Sequence, residues 1–165
     1  MKDNRGQDIK LIKLAIKIEK DACQFFTKFI EKTGESSLGT FLQQINEEIA
    51  EDLSRFEDSL KSLENGEEGN IEDMSLEDYK RESTRGDKFF PSGRITELLE
   101  GAFNPINVLG TCSQIMKDLA KYYGESANDI FYDTEKGLFQ EIAERKKEQS
   151  DMIGRKKREI ISRFP

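Results

Sequence analysis

The chain contains no histidine and no tryptophan, and it has three prolines and two cysteines among its 165 residues. Without histidine it lacks the commonest general base and the commonest protein ligand for transition metals. The small number of helix breakers excludes a collagen-like chain and argues against a loop-rich all-β fold. Cys23 and Cys112 form no Cys-x-x-Cys pair, so the chain cannot build a zinc-ribbon site by itself, and we expect both thiols to be reduced and buried.

Long apolar runs are also missing. No stretch approaches the roughly 18 apolar residues that span a bilayer, and no charged n-region precedes an apolar segment as in a signal peptide. We therefore expect a cytoplasmic protein that enters no membrane. The formal net charge of −7 disfavours nucleic-acid binding, because the protein repels phosphate polyanions. The basic run at 155–158 is interpreted as a solvated helix end that complements the helix dipole.

What the sequence does contain is helical periodicity, with apolar residues recurring every three or four positions in four long stretches. Asn104 followed by Pro105 predicts the start of the third helix, as an N-cap and a first-turn proline. Short turns join the helices within each half, and a long polar crossover joins the halves. The sequence predicts one all-α domain over 1–165, with helices at about 8–33, 38–64, 105–130 and 134–162 and a crossover at about 65–104.

The two halves align with each other at a fixed offset of 97 residues, over both helices of each pair and without a gap. Any two amphipathic helices share some apolar matches, whereas identical polar residues in a single register indicate a repeat. We infer a duplicated helical hairpin. The matched polar pairs are Lys20 and Lys117, Asp21 and Asp118, Gln43 and Gln140, Glu47 and Glu144, and Glu51 and Glu148.

The segment at 15–26, from Ala-Ile-Lys-Ile-Glu-Lys-Asp-Ala through Phe-Phe, resembles the first helix of the rubrerythrin-like branch of the ferritin-like di-iron carboxylate proteins. The resemblance covers about residues 8–64 and 104–160 and implies a ferritin-like four-helix bundle. In that family the first and third helices each supply one Glu, and the second and fourth each supply a Glu-x-x-His pair. The i, i+3 spacing places both members of a pair on one helix face.

Most of the ligand positions implied by this resemblance hold residues that do not bind iron. Glu19 matches the ligand of the first helix, whereas Met116 stands at the corresponding position of the third. The Glu-x-x-His pair falls on Ile49 and Asp52 in the second helix and on Lys146 and Gln149 in the fourth. With one ligand of six retained in kind, and Asp52 as a second oxygen donor, the di-iron chemistry of the family is not expected here.

A carboxylate left buried without its metal is costly unless its charge is matched. We therefore hypothesise that Lys146 forms an ion pair with Glu19 and Asp52, that Gln149 adds a hydrogen bond, and that this cluster replaces the metals. The protein would then be non-catalytic and cofactor-free, with a structural or interaction role. In the alternative interpretation, the Lys146 side chain extends outward to solvent and Glu19 is partly hydrated.

Two other functions stay open on the sequence alone. The first is a metal-binding oxidoreductase that reduces peroxide or oxidises iron at an iron or manganese site formed by Glu19, Glu48 and Asp52. The second is a small-ligand pocket lined by Ile49, Met116 and Cys23, together with the aromatic pairs Phe25/Phe26 and Tyr122/Tyr123.

The expected partner is a second copy of the chain, because the resemblance implies a homo-oligomer and most simply a dimer. Neither nucleic acid nor a membrane is expected as a partner. Tyr79, Phe89 and Phe90 are aromatic residues among the charges of the crossover. We expect them to cover the end of the bundle, although the same residues could form a surface for another protein.

Overall fold

The computed structural model describes residues 4–65, 89–90 and 104–163, and in these ranges the chain forms four long helices and no strand. The all-α prediction and the four-helix architecture are confirmed. Most of the predicted crossover, including Tyr79, lies outside the described residues. The helices are α1 (Asn4–Thr33), α2 (Ser37–Asn65), α3 (Pro105–Ala127) and α4 (Asp133–Ser162).

The helix boundaries differ from the predicted ones by more than one residue at two places. α1 begins at Asn4, one turn before the predicted start at Asp8. α3 ends at Ala127 rather than near Ile130, because the chain tightens there into a different hydrogen-bond pattern. The amides at 128, 129 and 130 each bond to the carbonyl three residues earlier, as in a 3₁₀ turn rather than an α-helix.

Local sequence explains where the helices stop and start. Gly34 adopts φ 61°, the left-handed conformation that ends helices and that glycine tolerates best, and its amide bonds to the carbonyl of Ile30 at 3.1 Å. The Oγ of Ser36 then accepts from the amide of Gly39 at 3.0 Å at the start of α2. The Asn104 side chain accepts from the amides of Ile106 and Asn107, which confirms the predicted cap.

The helices pack as two hairpins, with α1 along α2 and α3 along α4, around one continuous apolar core. An aromatic cluster joins the hairpins in the bundle interior. Phe56 of α2 lies 5.6 Å from the ring of Tyr123 on α3 and 5.3 Å from that of Phe139 on α4. Such tilted and edge-to-face contacts are the favourable geometries for aromatic pairs. No helix in the described ranges carries an apolar stretch long enough to cross a bilayer.

Two aromatic residues of the crossover pack onto this bundle. The ring of Phe90 lies 5.4 Å from Phe25 of α1, and the ring of Phe89 lies 5.5 Å from Tyr122 of α3. Phe90 is buried and Phe89 is half-buried. They therefore pack against α1 and α3, and their predicted place at the end of the bundle stays a prediction.

A buried carboxylate ties the first helix to the connection between α3 and α4. Asp8 is fully buried, and its two oxygens accept hydrogen bonds from the amides of Phe131 at 2.8 Å and Tyr132 at 2.9 Å. These are amides just before α4, where no side chain of the helix itself provides a cap. The rings of Phe131 and Tyr132 point outward and are exposed.

Candidate functional site: a buried ion cluster

All six positions that the resemblance assigned to a metal centre lie inside the bundle. Glu19 comes from α1, Ile49 and Asp52 from α2, Met116 from α3, and Lys146 and Gln149 from α4, and none is more than 2% exposed. Four of the six are polar or charged. Because polar side chains are rarely buried without partners, their contacts decide what this site can do.

Lys146 lies between the two carboxylates predicted to pair with it. Its Nζ contacts Glu19 Oε1 and lies 3.2 Å from Asp52 Oδ2. All three side chains are completely buried. The alternative in which Lys146 reaches solvent and Glu19 is hydrated is therefore wrong for this structure.

Two further residues complete the cluster, and neither was predicted from the sequence to belong to it. Arg145 Nε lies 2.7 Å from Asp52 Oδ1, and the Tyr123 hydroxyl donates to Glu19 Oε2 at 3.2 Å. Each carboxylate oxygen of Glu19 and Asp52 thus has an ion-pair or a hydrogen-bond contact. We refer to Glu19, Asp52, Tyr123, Arg145 and Lys146 as the ion cluster.

The ion cluster matches two carboxylates with two cations. Charges in a protein interior interact far more strongly than in water, but each also loses its hydration. Arg145 loses only part of its hydration, because its side chain is 30% exposed, and it also lies 3.3 Å from Glu51 Oε2 at the surface. The Lys146 side chain is not exposed, so its positive charge is stabilised by Glu19 and Asp52 instead of by water.

Gln149 does not take the place predicted for it. Instead of bonding within the ion cluster, its Nε2 donates to Glu48 Oε2 at 3.4 Å. Its Oε1 is buried and has no hydrogen-bond partner among the described residues. The expected hydrogen bond of Gln149 is thus made to a neighbour of the cluster, because Gln149 lies almost one turn beyond Lys146 along α4 and contacts Glu48 of α2 there.

The protonation behaviour of the site follows from burial and charge. Burial lowers the pKa of Lys146, but the carboxylates of Glu19 and Asp52 outweigh this and hold its pKa above the ordinary value. Burial raises the pKa of Glu19, and Lys146 opposes part of that rise. Burial and then the negative charge of Glu19 raise the pKa of the Tyr123 hydroxyl and of the half-buried Cys23 thiol. Tyr123 and Cys23 are thus protonated at neutral pH.

Removing the Tyr123 hydroxyl tests whether Glu19 needs its second partner. Tyr123→Phe keeps the ring but leaves Glu19 Oε2 without a donor, so we expect the free energy of unfolding to fall by about 1–3 kcal/mol. Urea unfolding followed by circular dichroism measures this loss. Tyr132→Phe, at an exposed tyrosine, is the matched control and should change stability little. Equal effects of the two substitutions would contradict the contribution of the buried hydroxyl.

The donor set of this site does not fit a metal ion. Among the described residues, no three His, Cys, Asp or Glu side chains come together as a metal-binding group. Glu19 and Asp52 are paired with cations, and the Glu48 carboxylate accepts from Gln149. The ammonium of Lys146 would also repel a divalent cation. No reaction step through iron or manganese is therefore derived from the site.

The proposed small-ligand pocket stays a prediction. Ile49 and Met116 are fully buried members of the apolar core, and Cys23 packs against that core from a half-buried position.

Comparisons of the chain with known protein families, with curated proteins and with solved structures find no significant match.

Proposed function

We propose that this chain is a non-catalytic, metal-free member of the ferritin-like superfamily whose ion cluster occupies the position of a di-iron centre and has a structural role. The observation that carries the proposal is the completely buried Lys146 ammonium between Glu19 and Asp52. A lysine at this position supplies in one covalent group the positive charge that metals would otherwise bring. It also removes the open coordination positions that metal catalysis requires.

The burial pattern supports the duplicated hairpin on which the ferritin-like interpretation depends. Positions 97 residues apart are buried together, although their side chains differ in chemistry. Charged, polar and apolar members thus occupy equivalent interior positions in the two halves. The pairs are Glu19 and Met116, Phe26 and Tyr123, Ile49 and Lys146, Asp52 and Gln149, and Phe56 and Ile153, each residue at most 2% exposed.

The structural role is to fix how the two hairpins meet. The acids of the ion cluster belong to α1 and α2, and its cations belong to α4, so every ion pair in it crosses between the hairpins. A surface pair between Arg55 of α2 and Glu141 of α4, at 2.6 Å, lies along the same contact. Sliding one helix by a turn would leave buried charges without partners, which costs free energy. In a purely apolar interface the same shift would carry no such cost. A homodimer and a cytoplasmic location remain expectations from the sequence.

Metal analysis of the purified full-length chain tests the proposal. Protein from cells grown with added iron and manganese is expected to carry substoichiometric metal by mass spectrometry, and a chelator should leave its melting temperature unchanged, because no bound ion contributes to stability. Stoichiometric iron or manganese, with a melting temperature that falls on chelation, would overturn the proposal. That result would favour the oxidoreductase that uses Glu19, Glu48 and Asp52.

A further inference from the structure

A second polar site lies on the outer side of the α3–α4 hairpin, away from the ion cluster. A groove of about 460 Å³ runs between the two helices. Lys147 is exposed here, whereas Lys146, next to it in sequence, is fully buried. One lysine of α4 thus faces the interior of the bundle and the next faces solvent. The residues that shape the groove are Ser113, Lys117, Lys147, Ser150, Gly154 and Arg158.

Small residues form the floor of the groove and hold the two helices at close range. Ser113 Oγ donates to the carbonyl of Ser150 at 3.0 Å, and Ser150 Oγ donates to the carbonyl of Ser113 at 2.8 Å. This reciprocal pair fixes α3 against α4. Because both hydroxyl protons are used between the helices, the serines shape the groove, and its charged side chains are left for recognition.

Gly154 allows a guanidinium to lie over this floor. Arg158 Nη1 is 3.5 Å from the position that a Cβ at residue 154 would occupy, and Ser113 Oγ is 3.8 Å from it. Arg158 therefore folds back along α4 toward the serine pair. The lysines reach the same groove from α3, at Lys117, and from α4, at Lys147.

The charge of the groove is opposite to that of the chain. Three cations line it, whereas Asp151 is the one carboxylate among the lining residues, in a protein of formal net charge −7. Lys117, Lys147 and Arg158 make no ion pair with any described residue. Some exposed cations elsewhere are paired, as Lys121 is with Glu125 and Arg55 with Glu141, so what distinguishes the groove is that three cations line one cavity.

We propose that this groove binds a small phosphate-bearing anion. Three cations and one carboxylate leave two positive charges uncompensated, which matches a phosphomonoester dianion better than a single carboxylate. Arginine offers planar paired donors suited to phosphate oxygens, and lysine adds point charge. A groove of this size holds a phosphate with a compact organic group. The proposal is independent of the ion cluster, because none of its residues belongs to that cluster.

The test is a titration of the full-length ¹⁵N-labelled protein with inorganic phosphate at constant ionic strength, followed by NMR. Saturable shifts are expected for amides at 113–120 and 147–158. Lys147→Gln and Arg158→Gln should each weaken binding at least about tenfold, the scale of one lost charge-assisted contact. Lys61→Gln, at an exposed lysine of α2, is the matched control and should bind phosphate as the wild type does.

A variant that fills the groove separates binding from folding. Gly154→Leu places a side chain beneath Arg158, so phosphate binding should be lost while circular dichroism shows that the helix content is kept, since leucine is a stronger helix former than glycine. Glycerol phosphate and vesicles containing phosphatidic acid distinguish a free ligand from a lipid headgroup, and saturable binding of the free compounds is expected. Non-saturating shifts, an equal effect of Lys61→Gln, or binding to the vesicles alone would overturn the proposal.

Discussion

Replacing Lys146 with methionine is expected to lower the free energy of unfolding by about 3–5 kcal/mol, because the change strands a buried carboxylate. Domains of this size have a total stability of about 5–15 kcal/mol, so the loss is large. The stranded group is Glu19. Asp52 keeps Arg145, whose Nε lies 2.7 Å away, whereas Glu19 keeps only the neutral Tyr123 hydroxyl among the partners described for it.

Two double variants locate the stranded charge. Lys146→Met combined with Glu19→Gln removes it and should recover most of the lost stability, since the Asp52–Arg145 pair is left intact. Lys146→Met combined with Asp52→Asn should recover none, because Glu19 stays charged and Arg145 loses its buried partner. Urea unfolding of the four proteins gives these differences. Equal losses in all three variants would show that Lys146 contributes volume and not charge.

The pH dependence of the single variant provides an independent readout on the same proteins. Protonation of Glu19 removes the stranded charge, and burial already raises the pKa of this group. In Lys146→Met the folded state therefore takes up a proton more readily than the unfolded state, so its stability falls as the pH rises through the raised pKa. Its deficit relative to Lys146→Met/Glu19→Gln should shrink as the pH falls through the raised pKa of Glu19.

Introducing the ligands of the ferritin-like family at the positions that the resemblance assigns to them is expected to create a metal site where none is proposed now. The substitutions Ile49→Glu, Asp52→His, Met116→Glu, Lys146→Glu and Gln149→His, added to Glu19, reproduce the ligand set of the ferritin-like family. All six positions are interior ones in the described bundle. We expect about two metal ions per chain by mass spectrometry, against substoichiometric metal in the wild type.

A variant that keeps Lys146 and carries the other four substitutions is the matched control. Its ammonium would lie among the new ligands and should prevent binding of the metal pair. Folding of both variants is checked by circular dichroism, with and without added iron, because metal binding and folding are coupled in such sites. A folded five-substitution variant that binds no metal would show that the register inferred from the resemblance is wrong.

Helix positions could be predicted from the sequence because they depend on local chemistry. Asn104 and Pro105 mark the start of α3, and Gly34 marks the end of α1. The end of α3 could not, since the apolar spacing runs on to Ile130 although the bonding at 128–130 has already changed from α-helical to 3₁₀. The acceptor for the amides at 131 and 132 is Asp8, more than a hundred residues away, and no local pattern identifies it.

The centre of the site was predictable only through the family resemblance, which placed Lys146 near Glu19 and Asp52. Arg145 was missed because neighbouring residues on a helix point about 100° apart, so a residue next to a buried lysine is expected to face away. Its long side chain nonetheless reaches Asp52 from the edge of α4. Tyr123 left one usable signal, because it stands where the repeat places Phe26 and thus adds a hydroxyl to a buried position.

The hydrogen bonds of Asp8 have a consequence for how the chain folds during its synthesis. Their acceptor and donors are separated by 123 residues or more. At about 5–20 residues per second, a ribosome that has added Asp8 needs about 6–25 s more to add Phe131 and Tyr132. Over that interval the first hairpin must exist without its second half, its apolar face exposed. Glu19 and Asp52 are then without the cations of α4 that compensate them in the folded bundle, so the ion cluster can form only after Arg145 and Lys146 have been added.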